Sequence, residues 1–207
     1  QFQHILKNAE QYFRNQDISF LFGQRSLTTP FNDAIKAMLY SSSLDDALNR
    51  YLTFFASVSP WLCPRIMYSS DQIHLYWLDE NKIENRFFIE SAMSAIQALS
   101  RQLYQSKLPW TFEFNFNEPD YIEQYWTHLG GDLTFNRPMN MMSLPSHFIH
   151  EPLPGASATL ASISHQQALQ YMSAQHLQQS FLLSVHQCLM QNIQNNIQLE
   201  QTADYCQ

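Results

Sequence analysis

The sequence predicts an α+β domain, in which a largely antiparallel sheet of about five strands packs with several helices and a helical extension follows. Three observations predict it. Hydrophobic residues make up 45% of the 207 positions, ample for one large core. The apolar period changes from helical to alternating after residue 60 and then switches back more than once. The alternating runs are short and bounded by polar turns, as strands of an antiparallel sheet are.

The elements follow in chain order. Phe2, Ile5, Leu6, Ala9, Tyr12 and Phe13 recur at helical spacing and predict a first amphipathic helix. A turn around Gly23 and the TTP of 28–30 leads to a second helix, with Ala34, Ile35, Met38 and Leu39 on one face. Residues 43–60 open a third. Ser43 can cap its free N–H groups, Asp45 and Asp46 suit its positive end, and Pro60 stops it. PRIMY (64–68) and QIHLYWL (72–78) alternate around the turn SSD, which predicts a β-hairpin. From about Arg86 to Gln105 the helical period returns, with Phe88, Ala92, Ile96, Leu99 and Leu103 aligned. TFEFNFN (111–117) alternates strictly and predicts a strand burying Phe112, Phe114 and Phe116. A short helix from about Pro119 is closed by Gly130-Gly131, and DLTFN and MNMMSL add two short strands. Residues 157–177 and 181–193 complete the set as helices, and the Gln-rich stretch after 165 keeps helical periodicity.

Composition narrows the function. Eleven basic against 18 acidic residues give a formal charge of −7, the wrong sign for a surface that grips duplex nucleic acid by itself. Cys63, Cys188 and Cys206 are odd in number, far apart and without CxxC spacing, which fits free thiols in a reducing cytoplasm. No apolar run approaches the roughly 18 residues of a membrane span, and the first residues lack the pattern of a signal peptide. A start without Met suggests a trimmed beginning.

Chemistry-bearing motifs are scarce. Four glycines, at 23, 130, 131 and 155, allow no GxGxxG or P-loop, and there is no GxSxG elbow or HExxH. HFIHE (147–151) places two His and a Glu together, but it reads as a loop without i,i+4 spacing, so surface imidazoles are the plainer reading. Cys63, between Leu62 and Pro64, reads as a structural thiol. His165, His176 and His186 are too far apart to act as ligands from one helical face. The expectation is no catalytic residues, no metal and no cofactor.

The hairpin offers more for binding. His74 and Tyr76 share one face, while Ile73, Leu75 and Trp77 share the other. Arg65 and Tyr68 lie on the partner strand, with Trp61 just before it. Trp61, Arg65, Tyr68, His74 and Tyr76 are the candidate ligand-binding residues, lining a pocket between the sheet and the N-terminal helices. The plainer alternative is that Trp77 and its neighbours are core and Arg65 is a solvated edge charge. The helix of 157–177 carries Leu160, Ile163, Leu169 and Met172 with few charges, which makes it a candidate dimerisation face.

Taken together the segments resemble the N-terminal effector-binding domain of one branch of the AraC/XylS family of transcription regulators. LFGQR (21–25) and SLDDALNRYLTFFASVSP (43–60) match the family's LGxR and its Ser/Thr-Leu-x-x-Ala-Leu helix ending in Ser-Pro. EPDYIEQYW (118–126), LGGDLTFNRPMN (129–140) and EPLPGASATL (151–160) match its second half in order and spacing. Family members commonly have glycines near 32–35, where this chain has Asn32 and Ile35. The resemblance implies a cytoplasmic sensory domain that binds a small effector, forms a homodimer and is not an enzyme; a constitutive dimerisation module without an effector is the alternative. It also implies a boundary, with residues 1–177 as the effector-binding and dimerisation domain. Residues 178–207 would then be a linker and the start of a helix-turn-helix DNA-binding domain. SFLLSVHQCLMQNI (180–193) resembles the opening helix of that domain, and Leu199 and Ala203 match its first helix-turn-helix segment. The basic DNA-contacting surface would follow Gln207.

Overall fold

The computed structural model describes residues 17–26, 32–58, 64–77 and 86–174. Three helices come first: α1 (Ile18–Ser26), α2 (Asn32–Leu39) and α3 (Leu44–Val58). The hairpin β1 (Arg65–Tyr68) and β2 (Gln72–Trp77) follows, then the long helix α4 (Arg86–Tyr104). β3 (Thr111–Glu113), α5 (Ile122–His128), β4 (Leu133–Thr134) and β5 (Asn140–Pro145) come next, then a 3-10 turn (Ser146–His150) and α6 (Ala158–Ala174). The fold class is α+β, as the sequence predicts.

The five strands run in the order β1-β2-β5-β3-β4, antiparallel except for the β3–β4 pair. One sheet face carries Ile73, Leu75, Trp77, Phe112, Met142 and Leu144, all buried. These join Phe20 of α1, Ile35 and Met38 of α2, Leu44 and Leu48 of α3, and Met93, Ile96 and Leu99 of α4 in one continuous core. The described helices therefore pack on that face. A smaller second core, Ala34, Ala37, Phe54, Ala168 and Met172, joins α6 to α2 and α3.

Local signals account for two of the element ends. The Asp46 amide donates to Ser43 Oγ at 3.3 Å and the Ser42 amide to Asp46 Oδ2 at 3.2 Å, a reciprocal cap on α3. Gly130, with φ +118°, lies in the left-handed region and closes α5, its amide donating a hydrogen bond to the Tyr125 carbonyl at 3.1 Å.

The structure departs from the sequence reading in four places. Gly23 lies inside α1 and not in a turn: a Cβ there would stand 2.0 Å from the Ser91 carbonyl oxygen, so the residue lets α1 lie directly against α4. β3 stops at Glu113, because the side-chain oxygen of Asn140 accepts the Asn115 amide at 3.0 Å where a strand partner would stand. Phe114 nonetheless is fully buried. The helix expected from Pro119 starts at Ile122, and the first four residues of HFIHE lie in the 3-10 turn, with Ile149 buried and Glu151 extended beyond it. The helices expected at 2–13 and 181–193, the segment 199–207, Trp61 and all three cysteines lie outside the described residues.

Candidate functional site

The β1–β2 register determines which hairpin side chains meet. Arg65 stands opposite Tyr76 and Met67 opposite His74, while Ile66 pairs with Leu75 and Tyr68 with Ile73. Side chains alternate across a strand. Arg65, Met67, His74 and Tyr76 therefore share the face opposite the buried one. β5 extends this face, placing Met141 beside Tyr76 and Ser143 beside His74. His74 Nδ1 and Ser143 Oγ are 2.8 Å apart, which fixes the imidazole through one ring nitrogen. Thr111 and Glu113 of β3 continue the face, and Glu113 is paired with Arg137 at 2.9 Å.

Three of the five candidate binding residues, Arg65, His74 and Tyr76, thus converge on one half-buried face carrying a guanidinium, an imidazole and a phenol. Tyr68 is separated from them. It belongs to the register of the core face, and its hydroxyl donates to Asp45 of α3 at 2.6 Å. Desolvation, followed by the Asp45 carboxylate, holds that phenol well above its usual range. The three converging residues lie on the face turned from the described helices. Their placement differs from a pocket between the sheet and those helices, because one residue of register selects the face. Ser143 and Met141 complete the face without having been singled out. Alternation in MNMMSL places them on one side of their strand, but the pairing of β5 with β2 is a long-range contact that no local pattern records.

A second surface is built by α6. Ala161, Ser164, Ala168 and Met172 form its inner stripe and are buried, while Leu160, Ile163, Leu169 and Tyr171 are 40–47% exposed. Of the four candidate dimerisation residues, Met172 is occupied within its own chain, against Ala34, Ala37 and Phe54. The other three remain outside. No Asp, Glu, Lys or Arg occurs among the 17 residues of the helix. His165 flanks the inner stripe beside Phe54, with ring centroids 5.3 Å apart, and its Nδ1 is buried without a hydrogen-bond partner. Burial, then the neighbouring Arg50, lowers its pKa, so α6 carries little charge even there.

Among the described residues no group of three His, Cys, Asp or Glu is arranged to hold a metal, and no helix is long and apolar enough to cross a membrane.

The family model for the arabinose-binding domain of AraC transcription regulators, N-terminal, matches residues 1–153. This chain belongs to that family. Residues 1–153 match the N-terminal domain of AraC-type transcription regulators, and this segment holds the sheet and every described helix up to the 3-10 turn. The crystal structure of transcriptional regulator CdpR from Pseudomonas aeruginosa is similar in fold. Its identity is 10% and its TM-score 0.50, over 90% of this chain and 79% of that one. No curated protein matches. α6 lies beyond the matched segment, so its uncharged face is read from this chain alone.

Proposed function

We propose that this AraC-type domain is a sensor: it binds a small effector and pairs with a second copy, and together these set how two DNA-binding domains meet a promoter. The family match supports the regulatory role, and the convergence of Arg65, His74 and Tyr76 supports the effector site. A guanidinium, an imidazole and a phenol over Met67 and Met141 suit a small molecule with a polar or anionic group and an apolar body. Trp61, four residues before Arg65, is the further candidate for that apolar contact. An effector changes output only through different affinities for two arrangements of the domain. Residues 178–207 are proposed as the linker and the opening of the helix-turn-helix domain, with the whole protein in the cytoplasm and without enzymatic activity.

Leu160, Ile163 and Leu169 are proposed as the pairing face. A helix without Asp, Glu, Lys or Arg leaves its outer apolar groups free of competing solvated charge, and a two-fold interface needs only one such patch on each copy. The same helix favours a second reading, a dimerisation module with no effector. Differential scanning fluorimetry separates them. A ligand bound only by the folded state at a hundred times its Kd adds about 2.7 kcal/mol of apparent stability. Screening sugars, amino acids and small carboxylates at millimolar concentration should raise Tm for one class. Stabilisation by none, with a dimer still present, would favour the module.

A further inference from the structure

Methionine is ordinarily an interior residue, and Met38, Met93, Met142 and Met172 are buried here. Met67 and Met141 are not: Met67 is 50% exposed and Met141 is half-buried. Both lie on the outer sheet face, on the two strands that flank β2, and His74 stands between them on β2 itself. Met67 is directly opposite His74 in the register of β1 and β2. Met141 of β5 is opposite Tyr76, so it is the diagonal neighbour of His74. Residues directly opposite have Cβ atoms about 4.5–5.5 Å apart, and diagonal neighbours stand about 7–8 Å apart. A methionine side chain has three rotatable bonds, so both sulfurs can swing toward one imidazole. Three strands thus bring two thioethers and one ring nitrogen to one patch.

The imidazole is held as a metal ligand needs to be. Ser143, itself buried, engages Nδ1 through its Oγ at 2.8 Å, which orients the ring and leaves Nε2 for an ion. Thioethers and a neutral imidazole bring no negative charge. Their neighbours bring none to spare: Arg65 is a cation opposite Tyr76, and Glu113, opposite Met141, is already paired with Arg137 at 2.9 Å. Hard divalent ions require several oxygen ligands, and zinc requires Cys, His or carboxylate sets. Among the described residues no group of three His, Cys, Asp or Glu is arranged for either. A monovalent soft ion is the better match, because thioether sulfur selects Cu(I) and a single charge is the smallest to leave unopposed. No local spacing announces such a site, since its donors come from three strands, and the sequence alone therefore reads as lacking a metal.

We propose that Met67, His74 and Met141 form a binding site for a monovalent soft metal ion, Cu(I), with Ser143 as the positioning residue that orients the imidazole. The site needs only the register of β1, β2 and β5 and does not depend on the binding of an organic effector.

NMR of the 207-residue chain, carrying ¹³C in its methionine methyl groups, tests it with Ag(I) as the probe. Ag(I) has the charge and ligand preference of Cu(I) without its redox chemistry. The three cysteines are alkylated beforehand so that their thiolates do not compete. The first equivalent of Ag(I) should shift the methyl signals of Met67 and Met141 and the ring signals of His74, ahead of the other methionines among the eight. Zn(II) should leave those signals in place. Ser143→Ala should weaken Ag(I) binding by about tenfold, the low end of what losing an outer-shell partner costs. Met67→Leu, which nearly conserves volume, should weaken it at least as much. Methyl signals of Met67 and Met141 that move no earlier than the rest overturn the site. So does a Met67→Leu chain with wild-type affinity for Ag(I), whether or not the Ser143→Ala chain folds. Zn(II) producing the same shifts overturns the soft-ion assignment, and a folded Ser143→Ala chain with wild-type affinity overturns the positioning role.

Discussion

α1 and α6 both rest on a neighbouring helix, yet they are held by opposite chemistry. α1 meets α4 through Ser19, Gly23, Ser91 and Ser94, with hydroxyls bonded to carbonyls across the seam and no space between the backbones. α6 meets α2 through Ala34, Ala37, Ala168 and Met172, and its outer side remains apolar. The first contact spends its specificity inside the chain. Among the described residues the second is covered on one side only, and the difference teaches where to look for a partner: at the helix whose outer face carries apolar groups and no Asp, Glu, Lys or Arg.

The largest effect should come from closing the gap at the first seam. Gly23→Ala places a methyl against the Ser91 backbone, which cannot rotate away, and should destabilise the domain by about 3 kcal/mol in urea denaturation. A cost below about 1 kcal/mol would show the seam to be looser than its geometry. Met172→Ala empties part of the small second core and should cost about 2 kcal/mol, the low end for such truncations because few groups surround it. That loss should appear as faster exchange in α6 without change in α1.

Acting on the outer side should have a different signature. Leu160→Glu with Ile163→Glu should change the stability of a single copy by no more than about 0.5 kcal/mol, since both side chains are exposed. The same pair should convert a dimer to monomer in sedimentation velocity at tens of micromolar, because each chain would bring two charges to the interface. A dimer that persists would move the pairing surface elsewhere.

Much of this contrast was legible in the sequence, but unevenly. The hairpin, α2, α3, α4 and α6 follow from local periodicity and caps, because those signals sit within a few residues of one another. Ser43 is the clearest case, naming the start of α3 before any tertiary contact is known. Gly23 misleads for the converse reason: a glycine required by a helix 68 residues away looks, locally, like a turn. Glu90 gives no local signal either, since its burial depends on Ser19, Tyr121 and Tyr125 arriving from three separate segments. At the candidate site alternation correctly grouped His74 with Tyr76, and the register added Arg65. Tyr68 fell to the other face because it stands one step out of phase with Arg65 in a four-residue strand.

The sensor reading rests on the sheet face, and ligand-induced stabilisation compared between two chains tests it most directly. A compound class that raises the Tm of the wild-type domain should lose most of its effect in the Arg65→Ala, His74→Ala pair, each shift being measured from that chain's own unliganded Tm. Equal stabilisation of both chains by the same compound would contradict the account, because the effector would then be held somewhere other than the face these residues share.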